Sequence, residues 1–333
     1  MLPSIFKAII VEETAPKEFN RRIGERRIDD LPTGEVVVRV LYSSLNYKDA
    51  LSATGNPGVT RRFPHTPGID AAGEVAFCSD GSYAPGDQVL VTGYDLGMNT
   101  AGGFGQYIRV PSSWVLPIPP GLTARDSMIL GTAGLTAALS VLKMITNGVR
   151  PESGDIIVTG ASGGVGSIAV ALLAKIGYRV VAATGKPAEA ETILALGAAE
   201  VIDRNDLLKG AERPLLTERW AGAVDVVGGA TLAAILKAAR YGGTVTCCGL
   251  VGSSDLPVNV FPFILRGVSL LGIDSVLCQK DIRRDIWERL AGQWRLENFR
   301  KSVHECSLDE LEGNIQNMLQ GESKGRTVVN LWS

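Results

Sequence analysis

The sequence predicts an α/β protein of two domains, a doubly wound parallel sheet joined to a β-rich domain. Three observations predict it. An apolar run breaks into a glycine cluster at 156–166, strands and helical segments alternate regularly from there to residue 273, and short strands punctuated by proline and glycine precede residue 125. At 333 residues the chain is long for one hydrophobic core and suits two.

The glycine cluster carries the most chemistry. Ile156-Ile157-Val158-Thr159 is β-branched and apolar, and residues 167–175 have helical character. Between them, Gly163 and Gly166 occupy the second and third glycine positions of a G-x-G-x-x-G turn, and Ala161 replaces the first. Such a turn lets the backbone approach a pyrophosphate, and the helix that follows offers unpaired N–H groups and a positive dipole end. Ala161, Ser162, Gly163, Gly164, Val165 and Gly166 are therefore the expected pyrophosphate contacts, and the unit is the opening of a Rossmann domain.

Six largely continuous apolar strands are expected in that domain, at 156–160, 179–184, 200–203, 223–227, 244–248 and 269–273, with helical crossovers such as 189–196 and 232–239. A long apolar helix over 127–145 leads into it. Before it, 5–11 and 35–41 read as strands with a charged loop between them, 43–51 as a loop entering a helix, and the stretches 63–75, 85–91 and 102–110 as turns into strands. After it come helical segments at 281–295 and 308–319 and a strand near 325–331, which returns to the first domain because six strands already complete the sheet.

Composition sets the broad class. Hydrophobic residues make up 45% and charged residues 20%, as in an ordinary globular protein, and the formal net charge of -2 gives no case for nucleic acid or an anionic membrane surface. No run is expected to reach the length of a membrane span, and no cationic-then-apolar leader is expected at the N-terminus. The five cysteines are odd in number and form no CxxC pair, so neither a disulfide framework nor a structural zinc lobe is expected, and cytoplasm is the default.

With these features in hand, the chain resembles the medium-chain dehydrogenase/reductase superfamily. The matching segments are Pro-Gly-Ile-Asp-Ala-Ala-Gly-Glu-Val at 67–75, Gly-Asp-Gln-Val at 86–89, Gly-Gly-Phe-Gly-Gln-Tyr at 102–107, Gly-Thr-Ala-Gly-Leu-Thr-Ala at 131–137 and the glycine turn itself. Ser-Ser-Leu-Asn-Tyr-Lys-Asp-Ala at 43–50 and Phe-Pro-Phe-Ile-Leu-Arg-Gly-Val at 261–268 resemble its zinc-free quinone oxidoreductase branch, nearest to bacterial acryloyl-CoA reductases. The resemblance implies a GroES-like catalytic domain over 1–126 and 276–333, and a Rossmann NADPH-binding domain over 127–275. It also implies that Leu250, Ile264, Ser275 and Arg326 line the cofactor cleft. Where zinc-dependent relatives carry a Gly-His-Glu segment, this chain has Gly68-Ile69-Asp70; His65 and His304, read as ordinary loop or surface residues, do not supply a zinc site.

The residues at the strand ends bear on the cofactor. NAD-specific sites place a carboxylate at the end of the second strand. Here that strand ends in Thr184-Gly185-Lys186 and the third near Arg204, a set that would hold a 2′-phosphate, with Glu200 and Asp203 nearby as contrary signals. NADPH is the expected cofactor.

Hydride transfer to a polarised alkene needs donors for the developing enolate oxygen and a proton for the α-carbon. Tyr47 is the leading candidate, either donating a hydrogen bond or proton or only packing against the cofactor; Arg326 meets either a phosphate or carbonyl of the substrate or a carboxylate of its own fold. Asn46, Lys48 and Asp49 would fix the loop. The expected activity is NADPH-dependent, zinc-free reduction of an activated double bond, an acryloyl-CoA-type thioester first. A quinone reductase and a non-catalytic NADPH-binding protein are the alternatives. A homodimer is expected through the apolar edge strand at 268–273.

Overall fold

A computed structural model describes residues 2–297, 299 and 303–333. The chain forms two compact units, one comprising Met1–Thr132, Val276–Ala291 and Val303–Ser333, the other Ala133–Ser275 and Gly292–Ser302. The return segment is thus shared: 292–302 joins the second unit, whereas the sequence suggested that everything from 276 belongs to the first. Asn298 and residues 300–302 lie outside the described residues.

In chain order the first unit supplies β1 (Ile5–Ala15), β2 (Glu18–Arg27), β3 (Val36–Leu45), α1 (Tyr47–Ala53), β4 (Asp70–Cys78), β5 (Gln88–Thr92), β6 (Tyr107–Val110) and β7 (Leu116–Pro117). Helix α2 (Ala124–Thr146) follows, then β8 (Ile156–Val158), α3 (Gly164–Lys175), β9 (Val180–Thr184), α4 (Ala190–Ala195) and β10 (Glu200–Asp203). Next are β11 (Trp220–Asp225), α5 (Gly229–Ala238), β12 (Ala239–Cys247), α6 (Phe261–Arg266) and β13 (Ser269–Gly272). The return comprises α7 (Lys280–Ala291), β14 (Val303–Ser307), α8 (Leu311–Leu319) and β15 (Arg326–Asn330).

In the first unit the main sheet runs β14-β15-β3-β4-β5-β7, with β6 also on β3, and β1 pairs with β2 as a separate antiparallel hairpin. Alternating valines of β3 (Val36, Val38, Val40) meet Val75, Val89 and Ile108 in its core. Three strands were not anticipated: the two-residue β7, β2 and β14. β2 is the stretch read as a charged loop; its Glu-Phe-Asn-Arg-Arg-Ile-Gly-Glu-Arg-Arg sequence has two large apolar residues, Phe19 and Ile23, which pack on the core, and pairing with β1 and the Arg21–Glu312 (2.7 Å) and Arg22–Glu12 (2.8 Å) ion pairs help hold it. β14, Val-His-Glu-Cys-Ser, is equally polar and owes its extension to parallel pairing with β15.

In the second unit six strands lie in the order β10-β9-β8-β11-β12-β13, all parallel, with β13 at an edge. Their residues in β8 and β9 are buried throughout, which is why they read as unbroken apolar runs. β11 starts earlier than expected and ends at Asp225 rather than Val227, because the N–H of Val226 leaves the ladder to donate to Thr159 Oγ1 (3.0 Å).

α2 passes the length and composition test for a membrane span, contrary to the expectation that no run would; 78% of that stretch is buried inside the protein, as in a core helix. It is also not one continuous helix. Gly131 interrupts it with φ 52° and ψ -154°.

Candidate functional site

The second unit builds a dinucleotide cradle. β8 ends in a turn where Gly160 has φ 56° and its carbonyl accepts from Gly163 N–H (2.9 Å); α3 begins at Gly164. A Cβ on Gly166 would stand 2.3 Å from the Gly160 carbonyl oxygen, so only glycine permits this packing. Ser162, Gly163, Gly164 and Val165 remain partly exposed around the start of α3, while Ala161 is buried and spends its N–H on the Ala183 carbonyl (3.2 Å). Gly160, not assigned a role from sequence, is therefore the residue that turns the chain. The cradle fits a pyrophosphate: small residues, a helix start and backbone N–H groups in one place.

Where the strand order reverses, between β8 and β11, Thr159 Oγ1 donates to Asp225 (2.8 Å), and Asp225 also accepts from Gly228 N–H (2.7 Å). Burial pushes the Asp225 carboxyl above its ordinary range. The pair is the end of an apolar strand facing another, and its only sequence signal is a polar residue closing each run.

The strand ends next to the cradle bring the predicted second-phosphate residues together. Thr184 Oγ1 donates to Ser162 Oγ (3.1 Å) and accepts from Lys186 N–H (3.0 Å), and Asp203 pairs in register with Thr184, which sets Arg204 beside Gly185. The two contrary carboxylates are engaged elsewhere. Glu200 faces Arg179 and Arg219 (3.7 Å each), and Asp203 accepts from Asn205 N–H (2.7 Å). Of the other residues named for this cleft, Leu250 and Ile264 are each 68% exposed on the second unit, and Ser275 is buried with Thr136 Oγ1 donating to its hydroxyl (2.9 Å).

The first unit holds Tyr47 and Arg326. Tyr47 opens α1 and is 45% exposed. Behind it lies a buried polar cluster. Asn46 N–H donates to Asp49 Oδ2 (2.8 Å), capping α1, and Asp49 Oδ1 accepts from Ile69 N–H (2.8 Å). Asp70 accepts from Ser44 Oγ (2.6 Å), Asn46 Nδ2 (2.8 Å) and Thr132 Oγ1 (2.6 Å). Burial, reinforced by Asp70, pushes the Asp49 carboxyl up to about 7.

Arg326 belongs to this cluster rather than to a surface. It is 2% exposed and donates to the carbonyls of Ile129 (2.9 Å) and Leu45 (3.3 Å) and to Asn46 Oδ1 (3.1 Å). Of the two roles open to it from sequence, the geometry supports service to its own fold, though toward carbonyls and an amide instead of a carboxylate. Gly131 lies against the same groups: a Cβ there would be 2.5 Å from Asp70 Oδ2 and 2.6 Å from Ser44 Oγ.

His65 differs from its sequence reading. It is buried, its Nε2 lies 2.9 Å from the Gly97 carbonyl, and burial lowers its pKa to about 4, so the ring is neutral at pH 7. His304 is exposed on β14. Among the described residues no group of three or more His, Cys, Asp or Glu side chains is placed to hold a metal ion.

A parallel sheet opening on a glycine turn, with a separate β domain at both ends of the same chain, defines a two-domain nucleotide-dependent dehydrogenase or reductase. Residues 32–120 match the family described as alcohol dehydrogenase GroES-like domain, and residues 164–292 the family described as zinc-binding dehydrogenase. YhfP of Bacillus subtilis, named a quinone oxidoreductase, is 43% identical over 99% of this chain and 100% of its own; its crystal structure with NAD bound superposes with a TM-score of 0.96. Acrylyl-CoA reductase AcuI of Ruegeria pomeroyi is 42% identical over 98% of this chain and 99% of its own. The crystal structure of E. coli K-12 YhdH with bound NADPH gives a TM-score of 0.94 at 43% identity, covering 97% of this chain and 99% of that one. The chain belongs to the medium-chain dehydrogenase/reductase superfamily, in the zinc-free branch of quinone oxidoreductases and acrylyl-CoA reductases.

Proposed function

We propose that this protein is an NADPH-dependent reductase of activated carbon–carbon double bonds, with an acrylyl-CoA-type enoyl thioester as its acceptor. The observation that carries the reading is the full-length similarity to acrylyl-CoA reductase AcuI, at 42% identity. NADPH as the cofactor is supported by strand ends that present Thr184, Lys186 and Arg204 with the neighbouring carboxylates turned to other partners.

The 2′-phosphate is assigned to Thr184, Gly185, Lys186 and Arg204, and the pyrophosphate to the turn at 160–166. Bound NADPH supplies the hydride. The chain's own contribution is to orient the acceptor, to donate a hydrogen bond to the oxygen on which negative charge develops, and to deliver a proton to the α-carbon. Tyr47, with its ring exposed at the start of α1, is assigned that donor role. Asn46, Asp49, Asp70 and Arg326 are positioning residues that hold the start of α1. The protein is further proposed to act as a homodimer paired through β13, the exposed edge of the parallel sheet.

Quinone reduction is the second reading, favoured by the name of YhfP. An NADPH-oxidation screen of acryloyl-CoA, crotonyl-CoA and simple quinones separates the two. Turnover at least tenfold more efficient with acryloyl-CoA is expected; preference for quinones reverses the assignment, and oxidation of none of them leaves a binding protein.

A further inference from the structure

We propose that Gly185 is a specificity-determining residue for NADPH, acting by seating the Arg204 side chain. The inference rests on the reading that Arg204 meets the 2′-phosphate.

Glycine at 185 is not required by the backbone, because its φ lies outside the left-handed region where other residues are strained. Nor is it required by packing in the interior, since the residue is exposed at the end of β9. The nearest group a side chain would meet is Arg204. A Cβ at 185 would stand 2.7 Å from Arg204 Nε, 2.8 Å from Cζ and 2.9 Å from Cδ, and these are its three nearest atoms. The Arg204 side chain therefore occupies the space that a Cβ at 185 would fill.

Strand register produces this contact. Thr184 and Asp203 are partners in the parallel ladder, so the residues that follow them leave the sheet side by side. Among the described residues no carboxylate pairs with Arg204, and the acidic neighbours Asp203 and Asp206 are engaged with Asn205 N–H and Lys209. The room left by Gly185 lets the guanidinium sit there without engaging its N–H donors in an ion pair among the described residues, which leaves the planar fork available for a phosphate. An alanine at 185 would push a flexible, exposed side chain aside at little cost to the fold while moving the donors off their position.

The test is direct titration of NADPH and NADH into the wild-type protein, Gly185→Ala, Arg204→Ala and the double variant, followed by the fluorescence of the bound nicotinamide. Arg204→Ala should weaken NADPH roughly 10- to 100-fold, the range for a charge-assisted contact, and leave NADH within about twofold. Gly185→Ala should lose most of the same factor, and the double variant should be no weaker than Arg204→Ala, because both changes remove one contact. Unaltered NADPH affinity in Gly185→Ala, with Arg204→Ala impaired, overturns the inference and spares the reading of Arg204. Losses that multiply in the double variant also overturn it. Unaltered NADPH affinity in Arg204→Ala overturns both. Melting of the unliganded variants within a few degrees of wild type shows that the comparison is between folded proteins; should Gly185→Ala melt lower, recovery in the double variant would locate the clash at Arg204, and no recovery would overturn the seating role.

Discussion

Arg326 Nη1 donates to Asn46 Oδ1 across 3.1 Å, joining residues 280 positions apart in the chain. The contact ties the first residue of the final strand to the cap of the helix on which Tyr47 stands. Replacing Arg326 with glutamine would leave the Ile129 and Leu45 carbonyls buried without their donor. We expect a loss of roughly 1–3 kcal/mol in urea unfolding, with NADPH affinity changed less than about threefold. An arginine that instead bound substrate would show a raised acceptor KM and ordinary stability.

Asp49 gives the stability a pH dependence of defined sign. Its ordinary value is 3.8 and the folded protein raises it to about 7, so the native state holds the proton more tightly than the unfolded chain does. Stability from this group is complete below about pH 4 and is lost as pH rises through 7, at no more than about 1.4 kcal/mol per pH unit. Urea unfolding between pH 5 and 8 should therefore show wild type losing its advantage over Asp49→Asn as pH increases. A gap that stays constant over this range would mean that the carboxylate is charged throughout.

Tyr47→Phe keeps the ring and removes the hydroxyl. If the phenol is the proton donor, turnover falls by roughly 10²–10⁴; if it only packs against the nicotinamide, turnover holds and the cofactor KM rises. Steady-state kinetics with acryloyl-CoA decides between them.

β13 is an unpaired edge carrying Leu270 and Leu271, and a second copy pairing there would cover it. Sedimentation at micromolar concentration should give the mass of a dimer, and Leu271→Lys should shift it toward the monomer. A wild-type monomer would reject the pairing.

The parallel sheet was legible because burial on both faces forces unbroken apolar strands, as in β8 and β9, and because Gly163 and Gly166 mark the turn that follows. β2 and β14 were not, since Glu18–Arg27 and Val303–Ser307 are extended through their partners and not through their own composition. Among the candidate site residues, Thr184 and Lys186 are suggested by a strand end and Ser162 by the glycine turn, which are local features. The cluster of Ser44, Asn46, Asp70, Thr132 and Arg326 could not, because it is assembled from segments whose spacing in sequence is set by the fold alone. His65 and Arg326, polar residues in an interior, are cases where type suggests the surface and partners decide otherwise.

The break in α2 at Gly131 has an evolutionary corollary. Any side chain at 131 would place its Cβ against the Asp70 carboxylate and Ser44 hydroxyl, with the backbone there at φ 52°. These positions are therefore epistatic: a change acceptable at one depends on what stands at the others. A side chain at 131 is barred while Ser44 and Asp70 stand as they are, and homologues that replace Gly131 should be found to have altered 44 or 70 as well.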